Sequence, residues 1–351
     1  MANISYEYLS NIKLEDPFFD SLKEDYQKFI EWYMKKSDVD EAAYTFYVNN
    51  RLNAFLYLKI ENEEHLDISP PLPKKRRIKV GTFKIDAHGT KLGERFIKKI
   101  FDVAIESATE EVYVTIFPKH VGLILLLKTF GFHKYGIKST SDGIEDVYIK
   151  RFHNLVGDIL LDYPIVKFAN VNKYVLSIYP KFHTQLFPES ILNNEDYDLL
   201  NDCSPTNSIH KLYICAMDGV LNFQRGDLIL IYRSSDGQGP AKYRSVVTSV
   251  CTVEEVVNME QFNNEDEYLE YCQPYSIFKD FELKNFYKMR KYPYIIKMVY
   301  NIAFKKRVIN DYLANTLGIK PNYWGVFPIT DDNFLKVCEE GRIDETLLYM
   351  D

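Results

Sequence analysis

Residues Lys79–Phe96 read KVGTFKIDAHGTKLGERF. The stretch from Arg77 to Asp86 alternates like a strand. A glycine-bearing turn follows and opens a helix with Leu92, Phe96, Ile100 and Ala104 on one face. The N–H groups and dipole of a helix N-terminus make a natural anion site. Gly89 and Gly93 would let a phosphate approach the backbone closely. Ten Lys/Arg lie between Lys74 and Ile100, opposed only by Asp86 and Glu94, a local balance of +8 in a chain whose net charge is -7. That asymmetry favours a polyanionic ligand at this turn.

Upstream, FFDSLKEDYQKFIEWYMKK (Phe18–Lys36) places Phe19, Leu22, Tyr26, Phe29, Ile30 and Tyr33 at spacings of three and four, which predicts one amphipathic helix. Asp20 is a candidate N-cap, and Pro17 suits a first turn. Two strand-like runs follow, Ala43–Val48 and Leu52–Ile60, with an Asn-rich gap that reads as a hairpin turn. The segment DISPPLPKKRR reads as a Pro-rich loop that turns basic. Downstream, Val112–Phe117 is a strand, His120–Thr129 a short apolar helix closed by Gly131, and Phe132–Tyr148 a strand pair or a strand with a loop.

The pattern weakens between Arg151 and Asn172, and two domains are expected, residues 1–152 and 165–351. A length of 351 residues suits two cores. Beyond the boundary the texture changes to short strands, LYICAM, GDLILIYRSS and YRSVVTSVCTV, with helices near Asn264–Tyr271 and Lys305–Leu317. The fold class is therefore α/β, of the α+β kind. Ordinary globular composition, 46% hydrophobic and 26% charged, excludes a disordered chain. The longest apolar run, Val121–Leu127, is too short to span a bilayer, so no membrane association is expected. No export signal is visible. The cysteines at 203, 215, 251, 272 and 338 form no C-x-x-C pair, which supports neither a disulfide framework nor a metal site. A cytoplasmic location follows as the expectation.

The block around the glycine turn resembles the GNAT acetyltransferase superfamily, whose pyrophosphate loop reads Arg/Gln-x-x-Gly-x-Gly/Ala. The matching positions are His88, Gly89, Thr90, Lys91, Leu92 and Gly93. Gly93 fits the last position, while His88 and Lys91 depart. Gly131-Phe132 matches the Gly-Phe that ends the family's later helix, and the order of elements over about residues 15–150 fits too. The resemblance implies a mixed-sheet GNAT domain with acetyl-CoA as cofactor. The backbone of Phe83, Lys84 and Ile85 would hold the pantetheine arm, and the amides of residues 89–93 the pyrophosphate, with Lys91, Arg95 or Lys98 nearby. An amine would attack the thioester, and the protein would polarise the carbonyl and move protons. The family's tyrosine acid aligns with Leu127 and its asparagine with His120, leaving His120, Tyr135 or water as substitutes.

In the second half, Ser177-Ile178-x-Pro180 and Gly226-Asp227 leading into a strand resemble PUA-like β-barrels of the ASCH and EVE branches, which typically hold RNA or a modified base. The ASCH Gly-x-Lys-x-x-Glu-x-Arg signature is absent after Pro188. Phe281–Arg307 interleaves eight Lys/Arg with seven aromatics, a composition that serves either base stacking or a core with a solvated face. Tyr323-Trp324-Gly325 and Tyr243-Arg244-Ser245 are candidates for a base pocket, with Trp324 equally suited to plug a barrel. Relatives that act as toxins by acetylating charged tRNA imply a toxin-like N-acetyltransferase with an aminoacyl-tRNA or other RNA acceptor, and an antitoxin partner. The alternative is a non-catalytic module that binds CoA and RNA through a degenerate GNAT domain. A protein or small-amine acceptor also stays open.

Overall fold

Two asparagines in left-handed conformation, Asn49 (φ 51°) and Asn50 (φ 61°), turn the first long hairpin. Such a turn matches the right-handed twist of strands, and asparagine tolerates it better than most residues. The computed structural model describes residues 4–86, 89–190, 192 and 204–351. The chain divides into two compact units, residues 1–162 and 163–351.

The first unit has strands β1 (Ile4–Tyr8), β2 (Ala42–Val48), β3 (Arg51–His65), β4 (Ile68–Ser69), β5 (Leu72–Ile85), β6 (Glu111–Ile116), β7 (His133–Thr140) and β8 (Gly143–Arg151). Its helices are α1 (Asp20–Asp25), α2 (Phe29–Ser37), α3 (Leu92–Glu106) and α4 (Val121–Thr129). The strands form one mixed sheet in the order β1-β2-β3-β5-β6-β8-β7-β4, with β5 and β6 parallel. Alternation along the strands sends Ala43, Phe55 and Tyr57 toward Phe19, Phe29 and Tyr33 of the first helical segment. The α3 face carrying Leu92, Phe96, Ile100 and Ala104 is buried, as its spacing predicts.

The single helix expected over Phe18–Lys36 is broken. Tyr26 is extended (φ -129°, ψ 105°) between α1 and α2. The β7–β8 hairpin holds the break: Glu145 accepts from the Tyr26 hydroxyl at 3.0 Å and Asp142 from the Gln27 N–H at 3.2 Å. Asp16, not Asp20, caps the preceding turn, accepting from Phe18 N–H at 2.9 Å. The expected Pro-rich basic loop is mostly strand. Glu61, Asn62 and Glu63 pair across the hairpin with Arg77, Arg76 and Lys75, so acidic residues meet the basic run in space.

The second unit contains β9 (Val166–Lys167), β10 (Lys173–Ile178), β11 (His210–Cys215), β12 (Leu228–Arg233), β13 (Val246–Asn258), β14 (Tyr294–Ile309), β15 (Val326–Pro328) and β16 (Leu348–Tyr349). Helices α5 (Pro180–Leu186), α6 (Ser204–Asn207), α7 (Ala241–Arg244), α8 (Glu265–Cys272), α9 (Asp280–Met289) and α10 (Asp331–Glu340) accompany them. Six strands form one mixed sheet, β11-β14-β13-β12-β10-β15. One core draws side chains from all six, with register shifts along β13 bending the ladder as a barrel-like wall requires. The helix expected over Lys305–Leu317 is instead the end of β14 and one π turn, Tyr312–Thr316. Ile309 and Val308 stay paired to Val246 and Val247, and that ladder overrides local helix preference. The molecule is thus mixed α/β with two large mixed sheets. Among the described residues, no helix is long and apolar enough to cross a membrane.

Candidate functional site

Strands β5 and β6 pair only from Ile78↔Val112 to Val80↔Val114, then part. The register of β5 against β3 slips here, Tyr57 facing Thr82 and Leu58 facing Val80, which makes Gly81 the extra residue of a bulge. A Cβ at Gly81 would sit 2.8 Å from a ring carbon of Tyr57, so the bulge demands glycine. Beyond it, residues 81–85 keep β3 on one edge while the other borders a cavity of about 640 Å³. Such an edge offers alternating backbone donors and acceptors to an extended ligand.

Phe83, Lys84 and Ile85 line this cavity, as does His120. The Lys84 ammonium is engaged by the Phe18 carbonyl and by Ser21 Oγ at 2.8 Å, and Ser21 lines the same cavity. His120 stands at the N-terminus of α4 with Nε2 3.0 Å from Asp25 Oδ2, and Lys119 pairs with the same carboxylate. Asp25 was not visible as a site residue in sequence, because it lies 95 positions away on α1 and carries no local motif. The Tyr26–Glu145 pair, also in the cavity wall, was missed for the same reason. Burial, reinforced by Glu145, raises the Tyr26 pKa far above the phenol's ordinary value and keeps it neutral.

Tyr135 is placed elsewhere: its hydroxyl donates to the Pro71 carbonyl at 2.9 Å, its ring packs on the Ile68–Leu72–Tyr113 cluster, and it is not in the cavity wall. Leu127 is fully buried. His88 lies outside the described residues.

The turn into α3 differs in detail from expectation. Gly89 has positive φ (78°) with open space at its α-carbon. Lys91 is left-handed (φ 54°) at the N-cap, its ammonium 3.5 Å from Glu94, and Leu92 is buried. At Gly93 a Cβ would meet Leu126 Cδ2 at 2.6 Å, so this glycine serves the contact between α3 and α4 rather than ligand approach. Residues 89–93, Thr90 among them, stand outside the cavity wall proper. Arg95 and Lys98 are buried, one over the Phe46 ring and the other 3.0 Å from Asp102. Lys75 and Arg77 are matched by Glu111. The local excess of positive charge therefore shrinks in the fold, offset by Glu111 from β6 and by Asp102 one turn further along α3.

In the second unit, most rings of Phe281–Arg307 are core. Tyr300 and Phe304 are buried, and Phe286, Tyr287 and Tyr292 pack against the α8–α9 core. Lys297 pairs with Glu254, and Lys306 with Glu340. Phe281 remains exposed. Trp324 stacks on Tyr232 with ring centroids 4.9 Å apart, while Tyr323 and Tyr243 are exposed. Of the cysteines, Cys203 is outside the described residues, and the other four are buried free thiols.

No family model matches this sequence, and no curated protein pairs with it by sequence. Among solved structures, an N-acetyltransferase from Staphylococcus aureus Mu50 is similar at 13% identity, covering 44% of this chain and 99% of that one, with a TM-score of 0.30. An ASCH protein from Zymomonas mobilis is similar at 9% identity, covering 48% and 94%, with a TM-score of 0.31. The NatC complex bound to Gag peptide and CoA gives 12% identity, 42% and 97% coverage, and a TM-score of 0.29. Likenesses of this strength carry no functional argument.

Proposed function

We propose that the first unit binds acetyl-CoA and transfers its acetyl group to an amine. The observation that carries this reading is the outward edge of residues 81–85, opened by the Gly81 bulge inside a cavity that also holds the His120–Asp25 pair. A pantetheine arm is an extended chain with two amides, and a strand edge satisfies both. In the transfer, the amine nitrogen forms a bond to the thioester carbon and the C–S bond breaks. One proton leaves the nitrogen and one reaches the thiolate. His120, oriented by Asp25 through Nε2, is the group placed to exchange these protons. Glu145, held by Tyr26, is a second acceptor in the same wall. The open space at Gly89 and the positive end of α3 suit a diphosphate.

Calorimetric titration with acetyl-CoA, followed by thiol release with total tRNA, polyamines or amino acids present, tests the reading. Absence of heat at millimolar ligand removes it. The reading extends to an RNA-borne amine and a toxin-like role with an antitoxin, for which mass spectrometry of cellular RNA after expression is the test. The exposed Tyr323, next in sequence to the Trp324 that stacks on Tyr232, and the exposed Tyr243 are the rings on which the second unit would receive a base. Binding of tRNA that does not weaken with salt counts against phosphate contacts there. Buried Leu127, at the position of the family's tyrosine, favours the second reading of a domain that binds CoA without transfer. Heat of binding with no thiol release under any acceptor supports that reading.

A further inference from the structure

Two lysines line the cavity on the far side of the bulge from Phe83. Lys79 stands on β5 two residues before Gly81, and Lys138 on β7. At about 3.3 Å per residue, Lys79 is roughly 13 Å along the strand from Phe83, outside the stretch assigned to the pantetheine arm. Its ammonium has no carboxylate within ion-pair distance among the described residues. It stands over the Tyr113 ring, 5.9 Å from the centroid. Burial presses its pKa below the ordinary lysine value, Glu61 opposes that shift, and the charge of Lys138 adds to it. Lys138 itself is 2.7 Å from Asp67, whose side chain is half exposed. The acids in the same wall are engaged, Glu145 by the Tyr26 hydroxyl, Asp142 by the Gln27 N–H, and Asp25 by Lys119 and His120. Thr82, Thr115 and Thr140 also line the cavity and add hydroxyls able to donate.

A largely desolvated ammonium that no carboxylate touches is costly even with Glu61 acting on it from a distance, and the charge of Lys138 in the same wall adds to the cost. An anion entering between them removes both penalties at once. We propose that the acceptor is an amine that also carries an anionic group, a carboxylate or phosphate, which Lys79 and Lys138 hold while the amine lies nearer Gly81 and Phe83. This inference rests on the acyl-transfer reading for the role of the amine, but the anion site can be tested without it.

Pyridoxal phosphate and pyridoxal form the same imine with a lysine amine and differ in the phosphate. The full-length protein is treated with each, reduced with borohydride, and mapped by peptide mass spectrometry. Lys79 should be modified at least about tenfold faster by the phosphate-bearing aldehyde, the factor expected of one charge-assisted contact. Lys138→Met should abolish that preference and Lys138→Arg restore it, each variant first shown to keep the wild-type melting transition. Protection by O-phosphoethanolamine but not β-alanine identifies a phosphate, and the converse a carboxylate. Equal rates for the two aldehydes, or a preference that survives Lys138→Met, overturns the proposal. Preferential labelling in a protein that shows no heat with acetyl-CoA leaves the anion site standing and removes acyl transfer. Heat with acetyl-CoA but no labelling preference removes the anion site alone.

Discussion

At the scale of single residues, the site depends on pairs that join distant parts of the chain. Asp25 fixes one nitrogen of His120, so Asp25→Asn should impair proton movement without emptying the cavity. Loss of a proton-transferring group typically costs about 10²–10⁴-fold. His120→Ala should therefore lower thiol release by that range with acetyl-CoA affinity within about threefold of wild type, and Asp25→Asn should lower it less. A large loss of affinity in both variants would place the pair in binding instead. The second unit has its own titrating residue. Burial would raise the Glu254 pKa, yet His210 at 2.7 Å and Lys297 at 3.0 Å hold it down, from 4.5 to about 2. A carboxylate held low in the folded state adds stability above its unfolded pKa and loses it as pH falls through the folded value. Glu254→Gln should thus cost on the order of 2–3 kcal/mol at pH 7. The gap from wild type in urea unfolding should close between about pH 4.5 and 2. A gap that stays constant with pH would show that the ion pairs add nothing.

At the scale of elements, glycines set how closely segments approach. Gly131 closes α4 with φ 82°, and a Cβ there would lie 2.1 Å from the Leu161 carbonyl oxygen. Gly131→Ala meets both a left-handed backbone and a backbone obstacle, and should cost about 2–4 kcal/mol. Urea unfolding of the full chain measures it, and a change below about 0.5 kcal/mol would mean the segment near Leu161 moves freely aside. The same logic separates Gly89 from Gly93. Nothing lies within 4 Å of a Cβ at Gly89, whereas Leu126 blocks Gly93. Gly93→Ala should lower stability, and Gly89→Ala should act mainly through its positive φ, by about 1 kcal/mol. Much of the element pattern was legible in sequence: α3, α4 and β6 fall where their periodicities put them, and of the two readings open for Phe132–Tyr148 the structure has the strand pair, β7 and β8. The break at Tyr26 was not, because partners on β8 and its turn impose it. Nor was the strand character of Lys74–Arg77, which depends on acidic β3 across the ladder.

At the scale of the whole molecule, each unit carries its own hydrophobic clusters, Phe19–Phe55–Tyr57 in the first and Leu176–Ile231–Met298 in the second. Residues 1–162 expressed alone should therefore unfold cooperatively and keep the acetyl-CoA heat of the full chain. A fragment that is molten or fails to bind while the full chain binds would make the second unit part of the folding unit. The charge of the chain is also a whole-molecule property that counting along the sequence misjudges. The +8 segment loses much of its excess to Glu110, Glu111 and Asp102, all outside it in sequence.

Periodicity and turn chemistry are local, so the chain alone determined α3, α4, β6, its α+β class and the strand–glycine turn–helix at residues 79–96. The parting of β5 from β6, the joining of Asp25 to His120, and the placing of Lys79 and Lys138 in one cavity wall were decided only by tertiary structure. Each depends on which remote strand or helix arrives opposite a residue, and the spacing of residues along one segment does not encode that.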